Sequence, residues 1–90
     1  MNSKLRIAAV EPVPDKQQLR ITWSDDTTLK VSLAEHIVSF SALAPLAGAE
    51  LFTQVQVGEW GFDLTWPGDI ELAAITLYQL TMEQALEALP

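Results

Sequence analysis

Apolar and polar residues alternate in three short stretches near the start of the chain. In "KLRIAAV", Leu5, Ile7 and Ala9 face one way and Lys4, Arg6 and Ala8 the other. "QLRITW" sets Leu19, Ile21 and Trp23 against Gln18, Arg20 and Thr22, and "TLKVSL" sets Leu29, Val31 and Leu33 against Thr28, Lys30 and Ser32. A period of two sends successive side chains to opposite faces, the pattern of half-buried strands. "EPVPDKQ" holds two prolines, which cannot continue a central strand, and "SDDT" is a turn between closely spaced strands. The pattern predicts a three-stranded antiparallel meander whose second and third strands form a tight hairpin. With the apolar faces on the core, the polar faces share the other side. Lys4, Arg6, Arg20 and Lys30 are therefore expected on one basic sheet face, either a solvated surface or a docking face for an acidic one.

Beyond Ser32 the pattern changes. "SLAE", Ser32 to Glu35, fits a capping box, and a short helix through Ile37, Val38 and Phe40 is expected to follow. "SALAPLAGAELFTQV" reads as a connection broken by Pro45 and Gly48, with one helical turn at "AELF". "QVQV" alternates again, "GEWG" can turn, and "FDLTW" sets Phe62, Leu64 and Trp66 against Asp63 and Thr65, a second hairpin. "WPGD" then reads as a strand-to-helix corner, with Pro67 and Gly68 central in a type II turn and Asp69 bonding local backbone. After Gly68, Ile75, Tyr78, Met82, Ala85, Leu86 and Leu89 keep spacings of three and four, one helical stripe expected to face the core. "TMEQ", Thr81 to Gln84, is a second capping-box match, so one long helix and two short ones both fit.

Composition narrows the class. Ninety residues with 49% apolar content make one domain, residues 1–90, and exclude a disordered chain. A domain this small cannot bury all of that apolar surface internally, so an exposed patch that meets a partner is expected, a homodimer being the simplest case. Cysteine is absent, which excludes disulfides and thiolate zinc sites and suits a reducing compartment. "MNSKLRIAAVEPVP" lacks the apolar run of a signal peptide, and no stretch is long enough to span a membrane, so a cytoplasmic protein is expected. Charge is unevenly spread. All five basic residues lie in the first thirty positions beside four acids, whereas positions 31 to 90 hold eight acids and no Lys or Arg. That acidic stretch would repel a phosphate backbone, so no direct nucleic-acid binding is expected.

The chemistry-bearing residues are sparse. His36, the single histidine, has Glu35, Ser39 and Ser41 nearby but no nucleophile-elbow pattern. "SDDT" lacks the spacing and glycine of a calcium loop, and neither GxGxxG nor GxxxxGK[ST] occurs, so no metal or cofactor is expected. Nothing in the sequence assembles a catalytic constellation, and a non-enzymatic protein is the expectation. The aromatic residues are the remaining candidates. Trp66 alternates in phase with the core, and its indole N–H needs an acceptor, with Asp63, Asp69 and Glu71 at hand. Trp60 falls on the tip of the second hairpin, where binding residues gather. Trp60, Trp66, Asp69 and Tyr78 are thus the candidate partner- or ligand-binding residues.

The order "ITWSDDTTLKVSL", "FSALAPLAGAELFTQVQV", "GFDLTWPGDIELAAITLYQL" resembles a bacterial family, domain of unknown function 2442. The positions that carry the resemblance are Leu43, Pro45, Leu46, Phe52, Val55, Trp66, Pro67, Asp69, Leu72, Leu77 and Tyr78. Members often have Ser or Asp where this chain has Ala74 and Ile75, a departure that moves the expected helix start. The resemblance implies a small α+β domain and a partner, and it names no activity. Some relatives look like two-domain proteins with a C-terminal helix-turn-helix, and others sit beside a second small protein, as in a toxin–antitoxin pair. The expected architecture is an α+β domain of antiparallel strands with helices on one face. The expected role is a dimeric protein-interaction module. The alternatives are a regulatory or ligand-sensing domain working with a DNA-binding domain, with a pocket lined by Trp66 and Tyr78, or one partner of a toxin–antitoxin-like pair.

Overall fold

The computed structural model describes residues 6–87. Its strands form two antiparallel three-stranded sheets. The first holds β1 (Ile7–Val13), β2 (Gln18–Trp23) and β3 (Thr28–Ser32) in that order, and the second holds β4 (Gln56–Val57), β5 (Asp63–Trp66) and β6 (Ile70–Ala73). Between the sheets run α1 (Ala34–Ser39), a 3₁₀ segment over Ser41–Ala47, and α2 (Ala49–Phe52); α3 (Ala74–Glu87) follows β6 directly. The fold is α+β, as the alternating and helical periods predict.

The meander is the expected one. Leu19 opposes Val31 and Ile21 opposes Leu29, so the inward residues of β2 and β3 meet in the core. The β2–β3 turn closes through Trp23 N–H to Thr27 O (2.8 Å) and Asp26 N–H to Trp23 O (2.9 Å). In that turn Asp25 accepts a hydrogen bond from the Thr27 N–H, and Thr27 holds the Asp25 carboxyl below its usual range. The first strand departs from expectation in two ways. A register shift between Ile7 and Ala9 turns Ala9 outward and Val10 inward, opposite Ile21. The strand also runs on through Glu11 and Pro12. A proline is tolerated there because β1 is the edge strand of its hydrogen-bonded sheet.

The two sheets join where β4 packs beside β1. Gly61 makes this approach possible. Its φ is +76°, and a Cβ at this position would stand 2.5 Å from the Ile7 carbonyl oxygen. One core spans both sheets and the helices, with Leu19, Ile21, Val31, Leu33, Leu46, Phe52, Leu64 and Leu77 fully buried. The "WPGD" stretch is a strand-to-strand hairpin. Trp66 pairs with Ile70 across Pro67–Asp69, and Gly68 and Asp69 both have positive φ, so β6 intervenes before the helix. The short apolar strand "IELA" was concealed because it merges without a polar break into the apolar residues of α3.

α3 contacts both β3 and β6, and so lies between the far edges of the two sheets. It is a single helix, and its inward residues are Ala74, Leu77 and Thr81. Neither predicted capping box forms. Leu33 stands at the N-cap of α1 with no side-chain cap, and the Ser32 hydroxyl accepts from Ala34 N–H at 3.3 Å. Thr81 lies inside α3, where its hydroxyl donates to the Leu77 carbonyl (2.7 Å). Gln84 instead grips the free edge of β3. Its Oε1 accepts the Ser32 N–H and its Nε2 donates to the Ser32 carbonyl, both at 2.9 Å. One amide thus satisfies both backbone groups that a further strand would have paired.

Replacing Gln84 with Ala should cost about 1–2 kcal/mol, because two partly buried backbone groups lose their partner. Urea unfolding measures the loss, and amide exchange at Ser32 should accelerate. A cost below about 0.5 kcal/mol would show that water replaces the clamp.

Candidate functional site

Each candidate residue is positioned by a different element. Trp66, at the end of β5, is core, being 4% exposed. Its indole N–H donates to the Phe52 carbonyl of α2 at 3.1 Å, rather than to Asp63, Asp69 or Glu71. That acceptor is a carbonyl at the end of the "AELF" turn, which only the tertiary fold brings near. A shallow hollow of about 450 Å³ beside Trp66 is lined by Thr53, Gln54, Val55, Gln56, Thr65 and Pro67. Tyr78 does not line it and packs on Trp23 instead. Its lining carries hydroxyls and amides and no ionisable group, which leaves it without acid–base chemistry. Asp69 is an exposed turn residue with φ of +64°.

The basic sheet face is mixed in charge. Glu11, Arg20 and Lys30 form a row across β1, β2 and β3, because β1 continues through "EPV" and brings Glu11 opposite Arg20. Arg20 pairs with Glu11 at 3.1 Å, an exposed contact of small energetic weight. Arg6 lies just before β1, with its guanidinium 5.0 Å from the centre of the Phe62 ring. Lys4 lies outside the described residues. His36, on α1, packs against the Phe40 ring. Among the described residues, no group of three His, Asp or Glu side chains comes together as a metal site.

Trp60 projects from the 3₁₀ turn Glu59–Gly61 and is 73% exposed. Its φ of +64° is costly for a bulky residue. Phe62, expected inside, is half exposed; its backbone carbonyl accepts the Ala74 N–H at 2.7 Å, which sets the start of α3 beside it.

The largest correction concerns α3. The stripe predicted to face the core faces outward instead. Ile75 is 48% exposed, Leu86 68%, Tyr78 36%, and Met82 is half-buried; Leu89 lies outside the described residues. The inward face is the one carrying Ala74, Leu77, Thr81 and Gln84, rotated by about one residue. Thr81 and Gln84 make it look polar in sequence, yet each side chain is hydrogen-bonded where it packs. Tyr78 closes one flank of the outward stripe, edge-on to the buried Trp23 at 5.4 Å between ring centres. Among the described residues the Trp23 indole N–H has no hydrogen-bond acceptor.

At the C-terminal end of α3, Gln84 and Glu87 stand beside Ser32 and Glu35. A hollow of about 310 Å³ is lined by Ser32, Glu35, Gln84 and Glu87. A more open one, lined by Ala34, Glu35, Val38 and Ser39, continues along α1, where Val38 is exposed. The two hollows are lined by hydroxyls, carboxylates and the Gln84 amide, with exposed Val38 beside them.

These features define a small α+β domain whose last helix carries exposed apolar residues. The chain belongs to the family described as "Protein of unknown function (DUF2442)", whose model matches residues 7–82. No curated protein matches it. Among solved structures it is similar to "Putative DNA Binding Protein NE0471" from Nitrosomonas europaea ATCC 19718, at 29% identity and a TM-score of 0.78. The match covers 89% of this chain and 50% of that one, so the chain corresponds to half the neighbour's length. No helix among the described residues is long and apolar enough to cross a membrane.

Trp60→Asn should leave stability unchanged or raise it by up to about 1 kcal/mol, since Asn accepts positive φ more readily and the indole is exposed. Chemical unfolding of the two proteins measures the difference. A loss above about 1 kcal/mol would show that the Trp60 ring supports the fold.

Proposed function

We propose that this chain is a non-enzymatic protein-interaction module that binds another protein through the outward face of α3. The observation that carries the reading is the outward stripe of exposed Ile75, Tyr78 and Leu86 with half-buried Met82 on a well-anchored helix. Contiguous apolar surface on a small domain ordinarily meets a partner, and a rigid helix face presents anchors at spacings of three and four residues. The absence of any site-type motif in the sequence supports a binding role over a catalytic one.

A second reading has its own support. The structural neighbour carries a DNA-binding description and is twice as long as the matched portion. In that reading the module accompanies a DNA-binding part and docks on it or regulates it. The acidic stretch from position 31 onward makes duplex contact by this chain itself unfavourable.

A photo-crosslinking residue placed at Ile75 or Leu86 in the source cell should yield a discrete protein adduct, while one at exposed Lys16 should not. Leu86→Glu should abolish capture by a crosslinker at Ile75 and change stability by less than about 0.5 kcal/mol, as for surface substitutions. Equal adducts at all three positions, or none at Ile75 and Leu86, would refute the reading.

A further inference from the structure

The outward face of α3 also has a charge pattern, and it constrains what can cover it. On an α-helix, residues three and four apart share a side. Glu83 and Glu87 therefore lie one turn apart along the same flank of the Ile75–Met82–Leu86 stripe, and both are exposed. Tyr78 and Ala85 occupy the opposite flank. Across the hollow at the helix end stands Glu35 of α1, so Glu35 and Glu87 line one cavity of about 310 Å³ with no cation in its lining. The last turn of α3 contains no basic residue. Nor does any Lys or Arg occur from position 31 to the end of the sequence.

This arrangement is unfavourable for the isolated chain. The C-terminal end of a helix carries partial negative charge, and acids in the last turn oppose it. Glu83 and Glu87 add like-charge repulsion at a spacing of four. A cationic side chain from another molecule would relieve both effects. A second copy presenting its own α3 face would not. Two of these faces brought together would place acidic flanks in one interface, and each chain carries a net charge of −7.

We infer that the α3 face docks a separate chain's amphipathic helix whose apolar stripe is flanked by Lys or Arg. This deepens the interaction reading above and rests on it. From Ile75 to Leu86 the stripe runs twelve residues, a rise of about 16 Å at 1.5 Å per residue, which matches roughly three turns of a docked helix. The partner's apolar residues cover Ile75, Met82 and Leu86. Its cations lie along Glu83 and Glu87, which flank the stripe.

The test uses the full chain as bait for a display library of helices about twenty residues long with one apolar stripe. Flanking positions are randomised between Lys, Glu and Gln. Selected clones should be Lys-rich at the flanks, and their affinity should fall about tenfold or more between roughly 50 and 500 mM salt. Leu86→Glu should abolish their binding. The double variant Glu83→Lys, Glu87→Lys should weaken binding about tenfold and recover it for the Glu-flanked version of the same helix. That rescue separates a charge contact from simple misfolding. Selection of neutral or Glu-flanked clones, equal binding to Leu86→Glu, or no enrichment would overturn the inference. So would a self-association that Leu86→Glu breaks and added salt strengthens, which would assign the face to a second copy. In that last case the interaction reading survives, because the same face still binds protein; an absence of any crosslinked adduct at Ile75 or Leu86 sinks both.

Discussion

Two hydrogen bonds between the Gln84 amide and the Ser32 backbone decide how the last helix sits. β3 ends at the edge of its sheet, and its unpaired N–H and C=O need partners. A primary amide supplies one donor and one acceptor side by side, so it can stand in for a strand at one residue. Once Gln84 is bound there, the rotation of α3 is set. Ala74, Leu77 and Thr81 turn toward the core, Thr81 returns its hydroxyl to the Leu77 carbonyl, and the helix lies between β3 and β6. Without that anchor the more apolar stripe would be the natural one to bury.

The consequence is a surface. Because the inward side of α3 uses residues whose polar groups are internally satisfied, the apolar residues Ile75, Met82 and Leu86 are left outside. Such burial is inexpensive when each polar group is hydrogen-bonded. The same rotation puts Glu87 across a hollow from Glu35 and leaves the acidic flank next to the apolar stripe. Stability and the proposed interaction thus arise from one packing choice. The aromatic residues at the other end follow a different logic. Trp66 is structural, held by the Phe52 carbonyl. Trp60 is exposed and has positive φ.

Much of this architecture was legible in the chain. Strict alternation in "QLRITW" and "TLKVSL" determined two strands and their inward faces, because a period of two admits one division of side chains between core and solvent. Turn residues marked the β2–β3 and β4–β5 loops, and the helical turn at "AELF" follows its breakers, Pro45 and Gly48. Family membership was readable from Trp66 through Tyr78. The charge division also follows from sequence alone, and with it the argument against nucleic acid.

Tertiary structure decided the rest. Glu11 reached the basic sheet face only because an edge strand tolerates Pro12, which local propensity cannot reveal. "IELA" became a strand because β5 offered it an edge. In α3 the apolar residues form two overlapping stripes about 100° apart, and periodicity chooses the one with more carbon. The protein buries the other, since Thr81 finds the Leu77 carbonyl and Gln84 finds Ser32, a residue 52 positions away. Sequence determines which residues can be buried; which of them are buried depends on the hydrogen-bond partners that a distant segment supplies.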